Sequence, residues 1–230
     1  MMTTKVFQRV LAIFLVVAAI FLANGLNNVA NAARVQIYDG HVNDILNDIR
    51  ETANDMKKDS KYANINLSIR GTHYWNDKNG FRYCESHFGD SDKNRLIFQV
   101  NNDGSVSSAW VIMRMETMSG EFDKDGISAA GFSLASIFYV IGMSKDEGNK
   151  IIDSFVDWGD TNFEKCIEAL NALRRDNYQL AEQKLNALEK NKTFSAWCAK
   201  SKRYINMQAS IIDLESDEPA TLNVLIYANT

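Results

Sequence analysis

The chain has 230 residues, of which 46% are hydrophobic and 23% charged, and it contains a single proline. This composition excludes a disordered tail, a collagen-like repeat and a polytopic membrane protein. The formal net charge of -4 argues against a general nucleic-acid-binding protein, which needs a basic surface. Three cysteines are too few for a small scaffold that depends on disulfides.

The first 32 residues are typical of a secretory signal peptide. A basic start with Lys5 and Arg9 precedes an uninterrupted run of 14 apolar residues, 10–23, and Ala30-Asn31-Ala32 provides the small residues that a signal peptidase reads. Because the apolar run is shorter than the roughly 20 residues of a membrane-spanning helix, the sequence favours cleavage after Ala32 over an uncleaved anchor. We therefore expect residues 33–230 to be a single exported domain, secreted or periplasmic, without a membrane span.

The first part of this domain predicts a helix followed by four strands. Apolar residues at three- and four-residue steps indicate an amphipathic helix over 41–58. From residue 64 the period changes to two, and short polar turns separate four predicted strands: 64–75, 81–88, 95–100 and 106–115. The region 64–116 is therefore predicted to be an antiparallel meander.

The second part predicts helices and then three more strands. Residues 127–141 are almost wholly apolar and indicate a buried helix. Ser144 with Glu147 has capping-box spacing, which predicts a helix to about residue 158, and Thr161 with Glu164 predicts the start of another. That helix is expected to kink or break at 174–177. Three C-terminal strands are predicted at 193–199, 203–212 and 221–228, so the fold class is α+β with helices packed against the strands.

A weak internal similarity leaves two architectures open. Tyr83-Cys84 resembles Trp197-Cys198, and each pair lies in a helix-then-strands context. One interpretation is two similar α+β halves, 33–120 and 143–230, joined by the apolar helix 127–141. The other is one sheet of up to seven strands with helices on one face.

Cys84 and His73 form the candidate catalytic pair. The turn between their strands would place them roughly opposite each other, close enough for a thiol–imidazole pair, so a secreted cysteine-dependent hydrolase is one hypothesis. A slip of one residue in register would separate the two side chains. Ser133 lies in a G-x-S-x-A segment, but within a helical run rather than after a strand, which indicates a packing residue.

Export would permit one disulfide among the three cysteines. Cys166 on a helix and Cys198 on a strand are one predicted pair, and Cys84 with Cys198 is another if the two sets of strands share a core. Three buried, reduced cysteines are the remaining alternative.

Two acidic segments raise a weak calcium hypothesis. Their oxygen-bearing side chains alternate as in an EF-type loop: Asp90, Asp92 and Asn94 in the first, and Glu121, Asp123 and Asp125 in the second. Arg95 stands where the first loop needs glycine, and Phe132 where the second needs glutamate. Turn and helix-start residues of this kind occur without any metal.

Four aromatic residues around the first hairpin form the predicted binding patch, namely Tyr74, Trp75, Phe81 and Tyr83. Aromatic side chains give large contact area at low entropic cost, which suits a protein or glycan partner. The sequence has no phosphate-binding glycine loop and no zinc-ligand spacing, so no cofactor is predicted. The main hypothesis is therefore an exported, non-catalytic binding protein of unknown ligand.

Overall fold

The computed structural model describes residues 35–58, 60, 63–64, 66–115, 123–212 and 220–228. The predicted leader, Glu121 and the acidic loop before Pro219 lie outside the described residues. The secondary structure below belongs to one compact unit, residues 36–229.

Four helices and seven strands are described. The helices are α1 (Val42–Met56), α2 (Lys124–Val140), α3 (Lys145–Arg174) and α4 (Tyr178–Asn186). The strands are β1 (Ile69–Asn76), β2 (Arg82–Phe88), β3 (Arg95–Val100), β4 (Val106–Arg114), β5 (Asn191–Cys198), β6 (Arg203–Ile212) and β7 (Thr221–Ala228).

All seven strands join in one antiparallel sheet of order β1-β2-β3-β4-β7-β6-β5. The predicted α+β class, the four-stranded meander and the three C-terminal strands are confirmed. The two strand groups meet where β4 pairs with β7, so they share one core. The duplication of two halves stays a prediction.

The helix after Ser144 is longer than predicted. Ser144 and Glu147 do form a capping box, but α3 then continues for 30 residues without a break near Thr161. The Thr161 hydroxyl donates to the carbonyl of Asp157 instead of capping a new helix. The spacing of a capping box therefore does not start a new helix when it occurs inside an existing one. The backbone N–H groups there already donate to carbonyl groups of the same helix.

One row of residues defines the buried face of the sheet, which we call the helix face. In register it runs across all seven strands: Tyr74, Cys84, Phe98, Ala109, Ile226, Met207 and Phe194. From Cys84 to Met207 these side chains are fully buried. Burial alternates strictly along β7, as expected for a sheet covered on one side.

The described helices lie on this face. At one end of the row Tyr74 donates a hydrogen bond to Asn43 of α1, and at the other end Phe194 packs edge-on against Phe155 of α3. Between them α2 packs against β4 and both neighbouring helices, and α4 packs against α3. We call the opposite side of the sheet the far face. No helix in the described part of the chain is long and apolar enough to cross a membrane.

Candidate functional site

The register of the first hairpin separates Cys84 from His73. Cys84 pairs with Tyr74 and is fully buried on the helix face, whereas His73 pairs with Glu85 and is exposed on the far face. Burial raises the pKa of the Cys84 thiol, and the hydrogen bond with Tyr74 only partly offsets this. The prediction that Cys84 and His73 face each other is wrong. The register of the hairpin differs from the predicted one by one residue, so the two side chains lie on opposite faces of the sheet.

The three cysteines are free thiols, and all are buried. Cys198, at the end of β5, lies against the carbonyl oxygen of Ile141 with a sulfur–oxygen distance of 3.9 Å. Neither the predicted Cys166–Cys198 bridge nor the Cys84–Cys198 alternative is formed. The reduced alternative, with three buried thiols, is the one that the structure contains.

The first acidic segment uses its polar side chains for structure. Asp90 accepts from the Asn66 amide at 2.7 Å, and Asp92 forms a 3.1 Å ion pair with Arg70. Asn94 is buried, and its side-chain oxygen accepts the backbone N–H of residue 114. The alternating residues therefore contact three different parts of the chain instead of converging.

The second acidic segment is a helix start. Asp123 caps α2, accepting from the backbone N–H of Gly126 at 2.8 Å, and Asp125 lies exposed in the first turn. Among the described residues no three His, Cys, Asp or Glu side chains gather as metal ligands. Ser133 of the same helix donates to the carbonyl of Ala129, as a packing serine does.

The predicted aromatic patch is divided between the two faces. Trp75 and Tyr83 stack on the far face with ring centroids 4.4 Å apart, and Trp110 of β4 extends them at 6.0 Å from Tyr83. Tyr74 points to the helix face, and Phe81 lies half-buried in the turn before β2. The four residues therefore do not form one binding surface.

A second pair of aromatic residues is much more exposed. Trp197 of β5 and Tyr204 of β6 are cross-strand neighbours with an edge-to-face contact of 5.2 Å. Their exposed fractions are 44% and 53%. Neither residue belongs to the predicted binding patch, although the sequence contains a signal for Trp197. Trp197 alternates with the buried Ala196 and Cys198, so it falls on the polar side of its strand.

The same strand has an unpaired edge, because β5 is the last strand of the sheet. The backbone N–H of Ile211 donates to the carbonyl of Lys190, directly before β5. In a regular antiparallel ladder the hydrogen-bonded residues then alternate, so the even-numbered residues of β5 bond to β6. The backbone N–H and C=O groups of the odd-numbered residues point outwards, namely those of Asn191, Thr193, Ser195 and Trp197.

A groove of about 490 Å³ runs between this edge and α3. Ile151, Trp158 and Phe194 form its apolar floor, and Thr193 and Ser195 of β5 line one wall. The floor is held rigid because the Trp158 indole donates to the carbonyl of residue 189 at 2.9 Å and packs edge-on against Phe194. We call the unpaired edge, the groove and the Trp197–Tyr204 pair together the β5 edge site.

The chain matches no protein-family model, no curated protein and no solved structure.

Proposed function

We propose that this protein is an exported, non-catalytic binding protein that recognises a peptide segment of its partner at the β5 edge site. The observation that carries the proposal is the exposed Trp197–Tyr204 pair beside an unpaired strand. Tryptophan and tyrosine are the side chains most enriched among residues that dominate binding energy. Exposed aromatic side chains next to unused backbone donors and acceptors favour a polypeptide ligand, since both can be used at once.

Two further features support binding rather than catalysis. Cys84 and His73 lie on opposite faces of the sheet, so the thiol has no imidazole partner across the hairpin. Burial also raises the pKa of Cys84, which keeps the thiol protonated at neutral pH and lowers its nucleophilicity.

Export is proposed from the leader alone. The basic start, the apolar run 10–23 and the Ala30-Asn31-Ala32 box together fit a cleaved secretory signal. Mass spectrometry of the native N-terminus tests this, and the expected first residue is Ala33. A native protein that still begins at Met1 or Met2 would contradict it.

Binding is tested by selecting a phage library of random dodecapeptides on the purified protein. We expect enriched peptides whose fluorescein-labelled copies bind the protein by anisotropy. Trp197→Ala should weaken this binding by about 2 kcal/mol, or about thirtyfold. The matched control is Tyr139→Ala, because Tyr139 is 77% exposed but lies on α2, and it should bind as the unmodified protein does.

Two results would contradict the proposal. One is a selection that enriches no peptide. The other is an enriched peptide that binds Trp197→Ala and the unmodified protein equally well.

A further inference from the structure

We propose that β5 takes up an extended, acidic peptide segment as an eighth strand of the sheet. This inference rests on the proposed peptide-binding function and adds the mode of binding and the charge of the partner. Three features of the β5 edge site carry it: the outward backbone groups, the groove beside them and the charges that flank the strand.

The backbone groups provide a regular template. β5 keeps an unbroken register with β6 over its eight residues, so its outward N–H and C=O groups recur at every second residue. Asn191, Thr193, Ser195 and Trp197 are all exposed. An extended peptide about 4.8 Å away satisfies such a row with backbone hydrogen bonds, whatever its side chains are.

The groove provides places for alternate side chains of that peptide. In an added strand, successive side chains point to opposite faces. Those on the helix face would enter the groove above Trp158 and Phe194. Those on the far face would lie beside Thr193, Ser195 and Trp197 of β5. The walls carry Ser154 and Thr161 together with Lys150 and Asp157, so the groove accepts polar side chains and does not itself select their charge.

The flanks of β5 are basic, although the chain as a whole is acidic. Residues 189–203 contain five cationic residues against one acid, whereas the whole chain has a net charge of -4. Lys190 and Lys192 lie at the N-terminal end of the strand, and Lys200 and Lys202 follow its C-terminal end. The acid of this segment, Glu189, is paired with Lys192 at 2.7 Å. Charge complementarity therefore favours a partner with acidic residues near both ends of the docked segment.

The same charges disfavour a second copy of this chain as the occupant. Two β5 strands that paired edge to edge would bring two sets of lysines together, and like charges at that distance repel. Lysines on an exposed edge strand are a common means of preventing such self-association. The same lysines attract an acidic segment of another protein, whereas they repel the lysines of a second copy of this chain.

Strand addition is tested first by amide hydrogen exchange, using the tightest peptide from the dodecapeptide selection at saturating concentration. We expect the amides of Thr193 and Ser195 to gain protection of about tenfold or more. The amides of Phe194 and Ala196 are already bonded to β6 and should change much less. A bound peptide that leaves Thr193 and Ser195 unprotected would overturn the inference, while the proposed binding function would stand.

A proline at an outward position supplies the second test. Thr193→Pro removes a backbone N–H that points away from β6, so the ladder of the sheet is kept. We expect about a tenfold loss of affinity or more. Thr193→Val keeps the N–H and should bind normally, and circular dichroism of both variants confirms that they are folded. Equal affinity of folded Thr193→Pro would overturn strand addition.

The charge of the partner is tested by the composition of the selected peptides and by Lys202→Glu. Enriched peptides should be acidic, and Lys202→Glu should weaken their binding several-fold at low salt, with a smaller effect at high salt. Basic or neutral enriched sequences would overturn the acidic assignment. A dimer seen by light scattering that Thr193→Pro disrupts would assign the edge to a second copy and would also overturn it. A selection without any binder would contradict the proposed function itself.

Discussion

The two outer strands of the sheet differ in a way that bears on binding. β1 has a bulge between Arg70 and His73, where Gly71 adopts φ +63°. The carbonyl of Gly71 already accepts hydrogen bonds from Ser86 at 3.0 Å and from Arg50 of α1 at 3.5 Å. β5 has no bulge in its pairing with β6, and its outward groups have no such partners among the described residues.

A bulge increases local twist and interrupts the regular spacing of unpaired N–H and C=O groups, so it protects an edge against further pairing. The β1 edge is blunted in this way and is tied to α1. The β5 edge is regular, and the exposed Trp197 near its end contacts the exposed Tyr204 of β6. The two edges therefore differ in what they present to an extended peptide: the row of backbone groups is interrupted in β1, and in β5 it is regular and lies beside a groove.

The largest effect on stability is expected from removing the packing of α3 against β5. Trp158→Ala deletes an indole that contacts Phe155, Phe163 and Phe194 and is only 5% exposed. Loss of this packing should lower the free energy of unfolding by about 3–5 kcal/mol, measured by urea denaturation. Tyr139→Ala is the exposed aromatic control and should change it by about 0.5 kcal/mol or less. A loss below about 1 kcal/mol for Trp158→Ala would show that β5 does not depend on α3.

The β1 bulge is tested by Gly71→Ala. The added methyl group meets no atom within 4 Å, so its cost comes from the positive φ, and we expect a loss of about 1–2 kcal/mol in the free energy of unfolding. Gly131→Ala is the control, because Gly131 also has open space but lies within α2 without a positive φ. It should instead stabilise the protein by about 0.5–1 kcal/mol. If both variants were stabilised, the left-handed conformation at Gly71 would be refuted.

The start of α3 is a capping box formed by Ser144 and Glu147. Ser144→Ala should cost about 1 kcal/mol in the free energy of unfolding, because it removes the acceptor for the N–H of Glu147. Ser154→Ala, in the middle of the same helix, should be nearly neutral, since its hydroxyl donates to a carbonyl that is already bonded within the helix. Equal losses in the two variants would contradict a specific capping role.

The same cap predicts a pH dependence. The backbone N–H of Ser144 holds the pKa of Glu147 below its ordinary value, with a smaller contribution from the backbone N–H of Ala199. A carboxylate with a lowered folded-state pKa stabilises the protein above its unfolded-state pKa, and this contribution is lost as the pH falls through the lower folded-state pKa. Glu147→Gln should therefore show a smaller loss of stability in mild acid than the unmodified protein, measured by thermal unfolding across that pH range. The opposite slope would contradict the lowered pKa.

The smallest effect is expected in thiol labelling. This measurement compares the reactivity of Cys84, in the strand next to β1, with that of Cys198 in β5. Both are buried, so neither should react quickly with Ellman's reagent at neutral pH. After unfolding in urea without reductant, all three thiols should react. Only one reactive thiol in the unfolded chain would reveal a disulfide, and rapid labelling of Cys84 in the folded protein would revive the hydrolase hypothesis.

Local pattern determined most of the secondary structure. The period-two alternation and the polar turns predicted β3, β6 and β7 with their observed bounds. In a strand that is covered on one side, apolar residues tend to lie on the covered face and polar residues on the other, so the pattern is visible in the sequence. The capping residue Ser144 marked the start of α3, whereas α2 begins at Lys124, three residues before the predicted start at 127. β1 was predicted five residues too early, at 64 instead of 69, because the same alternation of apolar and polar residues begins before the strand does.

The candidate site depended on information that no local pattern contains. A one-residue difference in register moved His73 away from Cys84. The division of Tyr74 and Trp75 between two faces follows instead from the alternation of consecutive side chains in one strand. The sequence could indicate that Trp197 lies on a polar strand face, but the order of the strands placed it on the edge of the sheet. Alternation, turns and caps follow from neighbours along the chain, and so the sequence by itself determined them. Register, edge position and the groove between α3 and β5 follow from pairing and packing between distant segments, which only the tertiary structure decides.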